Sequence, residues 1–495
     1  MNKGYAANQD GGRGAARVRD LIDWADDVLG ARLEREIVRH HRRRLARIDR
    51  LRALDAPRGG WADGEPPPRR GNAVEVLVDG SEALPRLAAG IERAQSHVHL
   101  AGWYFSPDFR LDRGGGTLRE LLAAAAERVD VRVLAWAGAP LPLFTPSRRQ
   151  VRRMRDALVT GTRIRCGLDD RERPMHCHHE KLVVVDDRVA FVGGIDLTSL
   201  DGDRFDTSEH PARGARGWHD VSTRLRGPIV ADAAEHFRLR WEEVTGQGLP
   251  PAAAAAPDAG DVEAQLVRTL PERIYRRLPR GDFRILESYL RALRSAERFI
   301  YLESQFLWSP ELVAVLIDKL RRPPRDDFRV VVLLPTRADK GDDDTRGQVG
   351  VLVDADAGAG RFVACTLYQR GSAPHGVYVH AKVGIVDDRW LTIGSANLNE
   401  HSLFNDTELN LVTLDERLAY ATRLRLWAEH LECSEDEAAG DVAKVVDERW
   451  LPRAEEQLER IRRGLPPTHK LARLPHVSRR SRALLGPVNG LLVDG

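Results

Sequence analysis

Cysteine is scarce in this 495-residue chain: Cys166, Cys177, Cys365 and Cys433 are the only four, and they show neither close-spaced disulfide nor zinc-ligand spacing. They read as free thiols in a reducing compartment, with Cys177 a wall residue rather than a nucleophile. Long apolar runs are also missing. No stretch approaches the ~18 residues of a membrane span, and Met1 to Arg13 is polar and glycine-rich, without an apolar segment suited to secretion. These absences argue against an integral membrane protein and lead to an expected cytoplasmic location, with peripheral contact to a membrane surface left open. Charge of one sign is not in excess either: 76 Lys and Arg against 74 Asp and Glu leave +2, too little to name a partner. Basic segments lack interleaved aromatics, so nucleic acid is an unfavoured partner.

What the chain does contain is a repeat of reactive residues. His179-Glu180-Lys181-Leu182-Val183-Val184-Val185-Asp186 is followed after six residues by Gly193-Gly194-Ile195-Asp196. The pattern returns 201 residues later as His380-Ala381-Lys382-Val383-Gly384-Ile385-Val386-Asp387, again followed after six residues by Gly394-Ser395-Ala396-Asn397. In a strand alternate side chains share a face, so each histidine points the same way as the lysine two residues on. The hydrophobic runs that follow read as buried strands, and the Asp-Asp-Arg after each is a turn signal.

A histidine and a lysine supplied twice suit displacement at phosphorus. One imidazole attacks while the other protonates the leaving oxygen and later activates the acceptor. Two lysines place fixed positive charge on the non-bridging oxygens, which reduces the need for a metal. An acidic partner can hold a histidine in its useful tautomer.

At these residues the chain resembles the phospholipase D superfamily, whose duplicated signature is His-x-Lys-x4-Asp with a glycine-rich segment downstream. The resemblance runs over residues 73 to 430. It extends through Arg204-Phe205-Asp206-Thr207, Trp218-His219-Asp220 and Ile300-Tyr301-Leu302-Glu303-Ser304-Gln305-Phe306, which look like the eukaryotic-type branch. It implies an α/β fold of two similar fused lobes with a pseudo-twofold cleft, and helical extensions at both ends. The implied catalytic set is His179, Lys181, Asp186, His380, Lys382 and Asp387. Gly194, Asp196, Ser395, Asn397, Glu303, Glu408 and His219 are the implied substrate-binding or supporting residues. Glu408 is expected to orient a histidine of the opposite half, while the first half has no obvious counterpart beyond a weak Glu209. No cofactor or metal is required for such chemistry, and calcium dependence stays open. The implied substrate is a glycerophospholipid, with water or an alcohol as acceptor. Cardiolipin-type phosphatidyl transfer, a nuclease or other phosphodiesterase, and a noncatalytic membrane adaptor are the competing readings.

Along the chain, residues 1–70 read as a helical, basic extension and linker. Arg39-His40-His41-Arg42-Arg43-Arg44 is either a solvated face or a dock for anionic headgroups. Residues 71–250 and 251–435 read as the two lobes, and 436–495 as a helical extension whose apolar tail, Leu484 to Val493, packs back on the core. Arg337 to Gly350, with Asp342, Asp343 and Asp344, reads as a polar, solvated loop.

Overall fold

Short β-branched runs alternating with amphipathic helices build a layered α/β structure in which both faces of the central sheet are covered. The computed structural model describes residues 30, 32–111, 114–140, 145–174, 176–200, 207–210, 217–252, 257–337, 342–370 and 376–475. Arg204 to Asp206 and the apolar tail lie outside the described residues.

In the first half the strands are β1 (Arg69–Val78), β2 (His97–Gly102), β3 (Asp130–Trp136), β4 (Arg165–Asp169), β5 (Leu182–Val185), β6 (Val189–Gly193), β7 (Trp218–His219) and β8 (Val221–Arg226). The second half adds β9 (Val262–Leu270), β10 (Asp282–Phe283), β11 (Phe299–Glu303), β12 (Arg329–Leu333), β13 (Phe362–Leu367), β14 (Tyr378–Val379), β15 (Val383–Val386), β16 (Trp390–Gly394) and β17 (Glu408–Thr413), and β18 (Leu471–Arg473) follows. One sheet runs β4-β3-β2-β5-β6-β8-β1 and continues as β9-β17-β16-β15-β11-β12-β13-β18. Apart from β18 the order reads alike from either edge, with the pseudo-twofold axis between β1 and β9. In each half a parallel triplet, β2-β3-β4 or β11-β12-β13, meets an antiparallel hairpin, β5-β6 or β15-β16. The hairpins carry the signatures, so the symmetry places both at equivalent positions on either side of the seam.

Asn72 fastens that seam: its amide donates to the Val262 carbonyl, and its oxygen accepts from the Ile229 N–H. The helix Ile229–Thr245 follows β8, and the equivalent helix Glu416–Leu431 follows β17. Each covers the sheet with an apolar face, through Phe237 and Trp241 in one and Leu426 and Trp427 in the other, all buried.

Three expectations are corrected. The basic segment of residues 39–44 is only partly a solvated face: His41 and Arg44 are buried against the second half. His41 stacks on Phe404 at 3.8 Å and meets Glu311 at 2.7 Å, while Arg44 forks onto Glu272 and reaches the Phe404 carbonyl. The supposed linker is likewise packed, with Ala56 and Ala62 buried and Gln265 bonded to the backbone of Ala62 and Pro66. The polar run expected as a loop is largely the helix Asp342–Asp356, in which Val349 and Leu352 are buried. Its apolar positions lie mostly beyond the acidic run, where the polar composition had concealed them.

Candidate active site

Both signatures enter the cleft through a backbone exchange between the halves. The N–H groups of His179 and Glu180 both donate to the Thr407 carbonyl at 2.9 Å, and those of His380 and Ala381 donate to the His219 carbonyl at 2.8 and 3.2 Å. Each reactive histidine is therefore tethered to the segment that opens β17 or β8 in the other half. The two imidazoles face each other with centroids 6.2 Å apart. A ring nitrogen of each and an Asp196 oxygen all lie within 4.8 Å of one another, close enough for one phosphate to touch both rings.

The acid behind each ring also crosses the seam. His179 Nδ1 lies 3.0 Å from Glu408, and His380 Nδ1 lies 2.6 Å from Asp220. Glu408 accepts from the hydroxyls of Ser395 and Ser402 as well. Burial, reinforced by the charges of Lys181 and Lys382, lowers the His179 imidazole to about 3. Burial also pushes Glu408 up to about 8, against the pull of Lys181. Both shifts disfavour charge on a pair shut away from water, so His179 is held as the neutral ring, the form that can attack.

The lysines bring the positive charge. Lys181 Nζ donates to the His179 carbonyl at 2.6 Å and sits 3.2 Å from Asp196, and Lys382 Nζ donates to the His380 carbonyl at 2.5 Å. Burial lowers Lys382 to about 7; the charge of Lys181 adds to this, while Asp220 opposes it. Lys382 is thus charged below about pH 7 and loses its proton as pH rises through that value. We expect kcat/KM, which reports the free enzyme, to fall above pH 7. The fall should move to higher pH in kcat, because a bound phosphodiester anion restores the lysine proton. Lys382→Arg should remove the share of that basic limb that Lys382 contributes, since a guanidinium stays charged, leaving only the share of the general acid, and pH–rate profiles of the two proteins check it.

Asp186 and Asp387 do not belong to this cleft, which corrects their place in the catalytic set. They stand at the far ends of β5 and β15, in left-handed backbone at φ 55° and 56°. Asp186 accepts from the N–H groups of Gln95, Ser96 and His97, and Asp387 from those of Glu297, Arg298 and Phe299. Each aspartate locks its hairpin turn to the start of β2 or β11. Burial works against ionisation of Asp186, yet the amide donors keep its carboxyl below the usual range. Replacing Asp387 by alanine should lower stability by about 3 kcal/mol, the scale of hydrogen bonds to a charged group. The kcat per folded molecule should stay unchanged. Denaturant unfolding beside active-fraction kinetics separates the two effects.

The supporting residues divide. Asn397 reaches Gln305 at 3.4 Å, and Gln305 holds the Tyr378 hydroxyl at 2.6 Å. Ser395 is spent on Glu408 rather than turned to substrate. Gly194, at the matching position, leaves the space that Asp220 needs: a Cβ there would stand 2.1 Å from Asp220 Oδ1. Glu303 and His219 stand behind the cleft. His219 bridges Asp79 at 3.1 Å and Glu303 at 3.0 Å, and these two carboxylates overcome burial to raise it well above the ordinary histidine range. Glu303 is buried.

Asp220, in the Trp218-His219-Asp220 run, is the partner of His380 that the sequence pattern does not assign. Gly193 pairs with Ser222 and Gly394 with Asn410, which makes Asp220 the counterpart of Glu408. The insertion between β6 and β8 hides that equivalence from sequence spacing. Glu209 is exposed and near Arg370, outside the cleft.

Two His-x-Lys half-sites, joined by a continuous sheet and cross-braced by acids, define a duplicated α/β phosphoryl-transfer architecture. The chain belongs to the phospholipase D superfamily. A sequence model of the family described as cardiolipin synthase, PLD-like domain, matches residues 289–429. Cardiolipin synthase A of a Pseudomonas putida strain is 30% identical over 359 residues, covering 72% of this chain and 68% of that protein. Phospholipase D A of Dictyostelium discoideum is 26% identical over 464 residues, 74% of this chain, but the match spans only 36% of that longer protein. Among solved structures, phosphatidylserine synthase of Haemophilus influenzae covers 77% of this chain and 89% of its own at 13% identity, with a TM-score of 0.47.

Proposed function

We propose that the protein is a phospholipase D-type phosphodiesterase that cleaves or exchanges the headgroup of a glycerophospholipid through a phosphohistidine intermediate. The observation that carries this reading is the facing pair His179 and His380, each backed by a carboxylate of the other half. The names of the relatives add the substrate class: a phospholipase D and cardiolipin synthases.

In the first step Nε2 of neutral His179 attacks phosphorus. The N–P bond forms as the O–P bond to the headgroup breaks, and protonated His380 gives its proton to the departing oxygen. Lys181 and Lys382 neutralise charge on the non-bridging oxygens. In the second step water or an alcohol attacks, His380 takes its proton, and the N–P bond breaks. Water yields phosphatidic acid; an alcohol yields a transphosphatidylation product. Asp220 steadies the imidazolium form of His380 that the first step consumes and the second restores.

A second reading, transfer to the hydroxyl of another phospholipid to build a cardiolipin, rests on the family match and the Pseudomonas putida relative. Both readings share the first step and differ in the acceptor. The test is product mass spectrometry on mixed phosphatidylcholine and phosphatidylglycerol vesicles, with and without ethanol, beside single-stranded DNA. Phosphatidic acid and phosphatidylethanol support the first reading, and cardiolipin the second. DNA cleavage without lipid turnover would replace both with a nuclease.

A further inference from the structure

Beside the cleft, a second group of ligating side chains joins the halves without a part in the reaction above. His176, three residues before His179, meets His401 Nδ1 to Nδ1 at 2.9 Å, and its Nδ1 lies 3.5 Å from Asp406 Oδ1. One ligand atom from each of the three falls within 4.8 Å of the other two. Asp406 is fully buried; its Oδ1 accepts from the Cys177 N–H at 2.8 Å, while Oδ2 has no hydrogen-bond partner. A buried carboxylate oxygen without a donor is costly unless something positive meets it. A proton between the two imidazoles satisfies both Nδ1 atoms but leaves the carboxylate to a longer contact.

The surroundings hold this group in place before any ligand arrives. His401 begins the turn His401–Asn405, whose closing N–H, that of Asp406, returns to the His401 carbonyl at 2.8 Å. The helix over residues 32–47 pins the same turn, through the His41 stack on Phe404 and the Arg44 bonds to Phe404 and Asn405. Trp308 packs edge-on against His401 at 5.5 Å. His176 keeps 12% of its side chain exposed, which gives an entry path from solvent. Glu400 adds a second carboxylate whose charge acts on both imidazoles.

We propose that His176, His401 and Asp406 form a binding site for a divalent transition-metal cation of the zinc class, clasping the first half to the second. Two imidazole nitrogens and one carboxylate oxygen suit Zn2+ or Co2+, whereas Ca2+ and Mg2+ want oxygen ligands alone. Zinc bonds of about 2.0–2.2 Å would draw the three groups around one ion with small side-chain rotations and leave a fourth position for water. The clasp ties residues 176–179 to residues 401–408, the two segments that carry the His179–Glu408 pair.

The test is titration of the full, chelator-treated protein with Zn2+ by calorimetry and with Co2+ by visible absorption, with thermal unfolding as a second readout. One cation per chain is expected, with Co2+ bands of four-coordinate type and a raised unfolding midpoint. His176→Ala, a change at a partly exposed position that should fold, is expected to weaken binding by more than the ~10–100-fold that loss of a supporting hydrogen bond costs. His380→Asn, which removes the cluster of His179, Asp196 and His380 in the cleft, one of three others among the described residues, should bind as the wild type does. Absence of binding in the wild type, unaltered binding in His176→Ala, or loss of binding in His380→Asn would each overturn the proposal.

Discussion

Alanine at His179 or at His380 should reduce phosphodiester turnover by a factor on the order of 10^5 or more, but the two losses should differ in kind. Without His179 there is no atom to form the N–P bond, so no choice of leaving group restores the first step. Without His380 the nucleophile remains, and what is lost is the proton for the departing oxygen. A p-nitrophenyl phosphodiester, whose leaving group departs as a stable anion, should therefore recover part of the activity of His380→Ala and none of that of His179→Ala. The His380 variant should also accumulate phosphohistidine with that substrate, because the second step lacks its base. Acid-quenched, intact-protein mass spectrometry reads the adduct directly. Equal rescue of both variants would contradict the assignment of His179 as nucleophile.

The second large effect belongs to the crossed acids. Asp220→Asn should lower kcat by about 10^4, the loss seen when the carboxylate behind a catalytic histidine becomes an amide, and Glu408→Gln, which replaces an acid that burial holds neutral, should cost less. The amide presents an N–H where the imidazole Nδ1–H needs an acceptor, so the ring turns or adopts the wrong tautomer. Glu408→Gln additionally disturbs the hydroxyl contacts of Ser395 and Ser402. Gly194→Ala provides a control that alters no charge: its Cβ would collide with Asp220 Oδ1, and the loss should follow that of Asp220→Ala. Steady-state kinetics on variants whose circular dichroism matches the wild type decides the matter. A Gly194→Ala protein with full activity would show that Asp220 need not hold the position that the structure gives it.

Much of the fold was legible because its strands are short, β-branched and bounded by turn residues. The hydrophobic runs after the two signatures are the strands Leu182–Val185 and Val383–Val386. The histidines and lysines were legible because a repeat of rare residue types at one spacing is visible without coordinates. The aspartates of the same motif were misread for the same reason. Repetition says that a position matters to both halves, and Asp186 and Asp387 matter to both hairpins as acceptors for three backbone amides each. Asp220 went unassigned because its equivalence to Glu408 is a matter of strand register. The insertion before β8 changes the count of residues without changing the register. The basic segment around His41 was read by composition, whereas its burial depends on Phe404, Glu311 and Glu272, far away in the chain.

By itself, then, the sequence determined which side chains could do chemistry and which runs would be strands, since strand pattern and residue type are local properties. Only the tertiary structure decided that each imidazole takes its acid from the other half, that the signature aspartates serve the turns, and that His176 meets His401 and Asp406 across the seam. Those pairings arise where two copies of one motif close around a twofold seam, and contacts made by closure leave no local pattern in the chain.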